Sequence, residues 1–129
     1  MNAKEIFEKF VGKKILVVGD VMIDGYLLGK VDRISPEAPV PIINLSKREE
    51  RLGGAANVAL NLLALEAKPI LCSVVGEDEG GNKFKELLGQ SGLSKDGIVT
   101  SINRRTTVKT RVIGDQQHLL RIDDEEVKS

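Results

Sequence analysis

The sequence predicts an α/β fold, a partial doubly wound sheet with a small β lid. Three observations lead there. Residues 14–19 and 70–75 are continuous apolar runs, the pattern of parallel strands buried on both faces. Between them a double glycine, Gly53-Gly54, opens an apolar run that reads as helix. Short strand-like stretches at 26–31, 40–45 and 106–122 do not fit a plain strand-helix-strand unit and read as a flap beside the main sheet.

Taken in order, residues 3–11 predict a short amphipathic helix ended by Gly12. The run 14–19 predicts a central parallel strand ending in Gly19-Asp20, and the carboxyl ends of such strands are where open α/β sheets bind ligands. Asp24 follows that strand and is either the cap of a turn or a ligand-binding carboxylate. Two prolines make residues 32–39 an ordered loop. Residues 40–45 resume as strand, and Pro41 places it at an edge.

The stretch Arg51-Leu52-Gly53-Gly54-Ala55-Ala56-Asn57 organises the chain. Gly53 and Gly54 let backbone approach a ligand with no side chain in the way. The amides that follow are unpaired helix N-terminal donors, which favour negative or polar oxygen. Most side chains from 55 to 65 are apolar, which predicts a helix buried on most sides, with Asn57 and Asn61 as buried amides on one face. These two either satisfy neighbouring backbone or, for Asn57, face a polar ligand held over the glycines.

A second buried strand at 70–75 joins the first by a right-handed crossover. The acidic loop 76–81 misses the calcium-loop spacing and reads as the N-terminal cap of a helix over 82–90. Residues 98–99 predict a third core strand, and 106–113 with 117–122 a hairpin across Gly114-Asp115. Thr107, Lys109 and Arg111 share one face by period 2, with Arg121 able to join them across the hairpin. That face is either a solvated exterior or a binding surface. The acidic tail from Asp123 to Glu126 reads as solvated.

Composition excludes several classes. The 129 residues carry 19 basic and 19 acidic side chains, so no basic excess points to nucleic acid or an anionic membrane. Aromatic residues are 3% of the chain, too few for base-stacking platforms. No apolar run approaches membrane-spanning length, and the N-terminus lacks the apolar core of a signal peptide. Cys72 is the only cysteine and His118 the only histidine, which argues against a disulfide or structural zinc and fits the cytoplasm.

The run Gly53-Gly54-Ala55-Ala56-Asn57-Val58-Ala59, with Gly76 closing the next strand, resembles the first signature of the ribokinase-like (PfkB) carbohydrate kinases. One position departs, because a small residue, usually Gly, is expected where Glu66 stands. Val18-Gly19-Asp20-Val21-Met22-Ile23-Asp24, Arg33-Ile34-Ser35-Pro36-Glu37-Ala38-Pro39, and Thr106-Thr107-Val108-Lys109-Thr110-Arg111 followed by Leu120-Arg121-Ile122-Asp123 look like the heptose 7-phosphate kinases of that family. Those are kinase domains or kinase–adenylyltransferase fusions of the ADP-heptose pathway that feeds lipopolysaccharide.

The resemblance implies a ribokinase-like fold, with core segments 1–24 and 50–103 and lid strands within 25–49 and 104–123. It implies phosphoryl transfer from ATP to the 1-hydroxyl of a heptose 7-phosphate. Asp24, Gly53, Gly54 and Asn57 would hold the sugar, and Arg33, Lys109, Arg111 and Arg121 its phosphate. The family's second signature, a Gly-Ala-Gly-Asp-like turn with the catalytic base, has no match here, nor does a Walker A loop. The expectation is therefore an N-terminal fragment, inactive alone, with catalytic base, ATP and Mg²⁺ belonging to an absent C-terminal half. A homodimer through the lid is also implied. The competing readings are a non-catalytic sugar-binding or dimerisation remnant, and a related kinase acting on fructose phosphate, ribose or a nucleoside.

Overall fold

The computed structural model describes residues 1–126. In chain order the elements are α1 (Ala3–Glu8), β1 (Lys14–Val18), β2 (Val21–Ile34), β3 (Pro41–Gly54), α2 (Ala55–Ala64), β4 (Lys68–Gly76), α3 (Glu79–Ser91), β5 (Ile98–Ser101), β6 (Val108–Gly114) and β7 (Gln117–Asp124). They build two sheets. The core sheet is parallel, in the order β1-β4-β5, and the lid sheet runs β3-β2-β6-β7.

In the core sheet Leu16 stands opposite Ile70 and Val74 opposite Val99, in straight parallel register. The strand read as central, β1, is an edge strand among the described residues, and its alternate residues Leu16 and Val18 are exposed. Helices α2 and α3 cover the opposite face. The small side chains of Ala56 and Ala59, fully buried, let α2 settle closely on the sheet. Phe84 and Leu88 of α3 complete the core with Leu71 and Val75 of β4. Asn57 and Asn61 are exposed, not buried; the apolar count was right, but α2 is covered on one side only.

The lid strands are longer than the sequence pattern suggested. β2 begins at Val21 and β3 runs to Gly54, so Asp24 lies within a strand instead of capping a turn. Residues 32–34, read as loop, are the last residues of β2, accommodated by shifts in pairing at Leu28/Gly29 and Val31/Arg33. Pro41 does sit on an edge strand. The β6–β7 turn is centred on Asp115 and Gln116, one residue later than expected. Both have positive φ, 52° and 66°, the conformation of a type I′ hairpin. Asp115 also receives Val31 N–H at 3.3 Å and donates its own N–H to Gly29 O at 3.1 Å, locking the turn onto β2.

Two joints hold lid and core together. Val21, Ile23 and Leu52 of the lid strands share one apolar cluster with α2 and α3. Beside it, Asp78 caps α3, which begins at Glu79 and not Asn82, by accepting Gly81 N–H at 2.7 Å. The same carboxylate accepts the Thr106 N–H at 2.9 Å and the Thr106 hydroxyl at 2.7 Å. Thr106 is buried, and its oxygen accepts Gly76 N–H at 2.9 Å. The entrance to β6 is thus tied to the end of β4 and the start of α3. Burial works to raise the Asp78 pKa, but the hydrogen bonds from Thr106 and Gly81 and the nearby Arg105 charge outweigh it and hold the carboxyl below its ordinary value.

Other ends are simpler. Asn2 and Glu5 form a reciprocal capping box on α1, which stops short of the expected residue 11. At the end of α2, Glu66 has φ 66°, with its N–H on Leu63 O and that of Ala67 on Leu62 O. This is a Schellman ending with glutamate where glycine is the ordinary choice.

Candidate functional site

Strand pairing places the candidate residues. Asp24 in β2 stands opposite Arg51 in β3 and Lys109 in β6. Tyr26 stands opposite Glu49 and Arg111. Across the next pair, Lys109 faces Asp123 and Arg111 faces Arg121 in β7. Residues in register share a face, so these side chains form one polar surface on the lid sheet. The other face carries Ile23, Leu52 and Val108 into the core.

The surface is charged but balanced. Arg111 Nη1 lies 3.3 Å from Asp24 Oδ1, and both side chains are about three-quarters buried, at 25% and 23% exposure. Arg121 holds Asp123 at 2.9 and 3.0 Å, and Lys109 approaches Glu125 at 3.8 Å. Arg51 and Lys47 each reach Glu49 at 2.7 Å, and these hydrogen bonds hold the Glu49 carboxyl below its ordinary pKa. The guanidinium carbons of Arg51 and Arg111 lie 4.9 and 5.4 Å from the centre of the Tyr26 ring, which fixes where both cations sit. An anion arriving here meets fixed guanidiniums and must displace carboxylates to pair with them.

The glycine pair brings this surface to the start of α2. A Cβ on Gly53 would lie 2.6 Å from Asp24 Oδ2, so only glycine leaves the carboxylate its place. Gly54 turns the chain with φ 61°, and a Cβ there would meet Asp20 O at 2.5 Å. Asp20 O accepts the first helical amide, that of Ala55, at 2.8 Å. No side chain caps the helix. Asn57 is exposed on its first turn. A carboxylate, a helix N-terminus and a side-chain amide are the groups that hold polyhydroxylated ligands, each hydroxyl needing a donor or an acceptor.

Of the residues singled out from the sequence, the structure gathers Asp24, Gly53, Lys109, Arg111 and Arg121 on one surface, with Gly54 and Asn57 adjoining it at the helix start. Arg33 is not among them. It pairs with Ile42 near the far end of β2, nine residues and about 30 Å along the strand from Asp24. Tyr26, Glu49 and Arg51 were missed. Their signal was the period-2 spacing from Asp24 and Gly53, hidden because neither segment was read as continuous strand. A cleft of about 670 Å³ opens between the lid and α3, lined by Ile23, Leu27, Arg48, Lys83 and Val108 together with Tyr26 and Glu49; it includes none of the residues singled out from the sequence. Among the described residues no three acid, histidine or cysteine side chains converge to hold a metal ion, and no helix is long and apolar enough to cross a membrane.

Comparison with known proteins adds a second line of observation. Residues 12–128 match the sequence profile of the pfkB family carbohydrate kinases. The chain is 50% identical over 119 residues to D-beta-D-heptose 7-phosphate kinase of Bordetella bronchiseptica, covering 92% of this chain and 38% of that protein. It is 51% identical over 113 residues to bifunctional protein HldE of Helicobacter pylori strain P12, covering 88% of this chain and 24% of that one. The chain therefore spans 38% and 24% of the length of these two relatives. Among solved structures, a carbohydrate kinase from Agrobacterium tumefaciens superposes with TM-score 0.67 at 28% identity, over 87% of this chain and 35% of that one. Arabidopsis thaliana ribokinase, complexed with ribose and ATP, superposes with TM-score 0.62 at 18% identity over 90% and 36%, a likeness of fold.

Proposed function

The chain belongs to the pfkB family of carbohydrate kinases, and from that premise we propose that it forms the acceptor-sugar side of a kinase that moves a phosphoryl group from ATP to the 1-hydroxyl of D-glycero-D-manno-heptose 7-phosphate. The observation that carries the reading is the lid surface where Lys109, Arg111 and Arg121 stand in register beside Asp24 and the glycine-led helix. The half-identity to a protein named for this substrate supports it.

In this reading Asp24 and Asn57 take sugar hydroxyls, and Gly53 and Gly54 keep the approach open. The 7-phosphate draws Arg111 from Asp24 and Arg121 from Asp123, leaving Asp24 free to accept a hydroxyl. Arg33 is set aside as a phosphate ligand of the same chain by its distance along β2. In this reading ATP and Mg²⁺ are held by the remainder of the kinase. We place the enzyme in the cytoplasm, where ATP and sugar phosphates are found. We also propose that it dimerises through the lid, because β2 and β3 extend beyond β6 as a two-stranded arm with Ile34, Val40 and Leu45 exposed. Replacing Ile43 by Asp then dissociates the intact dimer in light scattering.

The test is a fusion of this chain to the part of the Bordetella kinase that follows the matched segment. With heptose 7-phosphate and Mg-ATP the fusion releases ADP, and the isolated chain does not. Turnover by the isolated chain within tenfold of a typical ~10 s⁻¹ contradicts the division of labour. A fusion preferring ribose or fructose phosphate contradicts the substrate.

A further inference from the structure

Two arginines that are distant in the sequence rest on one aromatic ring. The guanidinium carbons of Arg51 and Arg111 lie 4.9 and 5.4 Å from the centre of the Tyr26 ring. Arg51 belongs to β3 and Arg111 to β6, with β2 between them, so their backbones stand about two strand spacings, roughly 9.5 Å, apart. The ring on the intervening strand draws both cations toward one spot beside Asp24. Arg51 stands opposite Asp24 in the pairing, and Arg111 reaches its carboxylate.

The two cations are held in different ways. Arg111 is one-quarter exposed and paired with Asp24. Arg51 is 65% exposed and donates to Glu49 at 2.7 Å. Glu49 also holds Lys47 at 2.7 Å, so one carboxylate serves two cations. Arg51 can therefore leave Glu49 without stranding it, because Lys47 stays. Arg121, beside Arg111 on the other side, is engaged at two points by Asp123 of its own strand. A phosphate monoester carries close to two negative charges near neutral pH, since its second pKa is about 6. A guanidinium fork pairs two of its oxygens, and two forks match its charge.

We propose that Arg51 is a specificity-determining residue of the lid surface: it turns from Glu49 and, with Arg111 on the Tyr26 ring, clamps the phosphate of a phosphorylated sugar. This deepens the reading of the chain as the acceptor-sugar side of a kinase and rests on it. Glu49 is the placeholder that holds Arg51 until the phosphate arrives. Seating both cations on the ring reduces the ordering that binding requires. An unphosphorylated sugar has nothing to draw Arg51 from Glu49, so the clamp discriminates against it.

Tyr26 is the only tyrosine of the chain, and there is no tryptophan, so its fluorescence reads this spot directly. The 129-residue chain is titrated with heptose 7-phosphate, fructose 6-phosphate and unphosphorylated heptose, with Tm measured on every variant. Heptose 7-phosphate is expected to change the Tyr26 emission saturably, and unphosphorylated heptose to bind at least tenfold more weakly. Arg51→Gln is expected to weaken heptose 7-phosphate binding at least tenfold, with unphosphorylated heptose binding and Tm unchanged. Glu49→Gln, which releases Arg51, is expected to tighten heptose 7-phosphate binding several-fold, an effect that a scaffolding role for this ion pair does not produce. Arg48→Gln, on the opposite face of β3, is expected to change neither.

Equal affinity of wild type and Arg51→Gln for the phosphorylated sugar overturns the clamp, as does equal weakening for both forms of heptose or weaker binding by Glu49→Gln. No response of the wild-type chain to either phosphorylated sugar overturns it as well. An Arg51-dependent response to fructose 6-phosphate but not to heptose 7-phosphate upholds the clamp and overturns heptose as the acceptor.

Discussion

The lid strands mix apolar with charged residues, the core strands are runs of Val, Ile and Leu, and the two sheets reach opposite conditions. In the lid, β2 has a strand on each side, one face in the core and one face covered by charges that neutralise one another. In the core sheet, one face is sealed by α2 and α3 and the other lies open with its apolar side chains exposed. The lid joins two antiparallel pairs, β2–β3 and β6–β7, through one long-range parallel pair, β2–β6, whereas the core sheet is wholly parallel and both of its crossovers fall on one side. The lid thus has a strand on each side of β2 and its apolar face in the core, while the core sheet keeps one apolar face bare among the described residues.

The sharpest way to break the comparison is to cut the sealed face. Phe84 is fully buried under both sheets, and Phe84→Ala is expected to destabilise the chain by about 3–5 kcal/mol. Val99→Ala, on the open face, is expected to change stability by no more than about 0.5 kcal/mol. Chemical denaturation of both variants checks this. Similar losses would mean that the open face is already packed.

A smaller effect is expected at the joint between the sheets. Asp78→Ala removes the α3 cap and the partner of the buried Thr106 hydroxyl, at a cost of about 2 kcal/mol. The carboxyl has a folded pKa below its unfolded value. Its contribution is therefore full above the ordinary carboxylate pKa and is lost as pH falls through the lower, folded one. The Tm gap between wild type and Asp78→Asn is expected to be largest near neutrality and to shrink below about pH 4. A gap independent of pH would show that the carboxylate charge does not hold lid to core.

The smallest effect concerns the end of α2. Glutamate at position 66 carries a left-handed backbone that glycine adopts without strain. Glu66→Gly is expected to stabilise by about 1 kcal/mol, read as a Tm rise of a few degrees. A lower Tm would mean that the Glu66 side chain contributes more than its backbone costs.

How much of this was legible in the sequence follows the same division. The parallel strands, the glycine-led helix and the late hairpin were readable because apolar runs and turn residues are local signals. Lys109, Arg111 and Arg121 were correctly placed on one face, because strand periodicity survives an error of a residue or two in the strand ends. Asp24 was read as a residue beyond a strand because the lid strand β2 starts only two residues after the core strand β1, and Gly25 and Gly29 interrupt the strand pattern where neighbouring strands approach closely. Asn57 and Asn61 were expected to be buried because the apolar count of a helix does not reveal which of its sides has a neighbour. Arg33 was grouped with the other cations by the family resemblance, which does not show the roughly 30 Å of strand between it and Asp24.

The most direct test of the lid surface as the acceptor site is the kinetics of Arg111→Ala in the active fusion, compared for heptose 7-phosphate and for unphosphorylated heptose, with Tm measured on the same samples. The arrangement of Arg111 between Asp24, Arg121 and Tyr26 predicts a fall of about 10²-fold in kcat/KM for the phosphorylated sugar, a much smaller fall for the other, and an unchanged KM for ATP. Unchanged kcat/KM for heptose 7-phosphate alongside a lower Tm would contradict it, leaving the lid surface a scaffold and the substrate elsewhere.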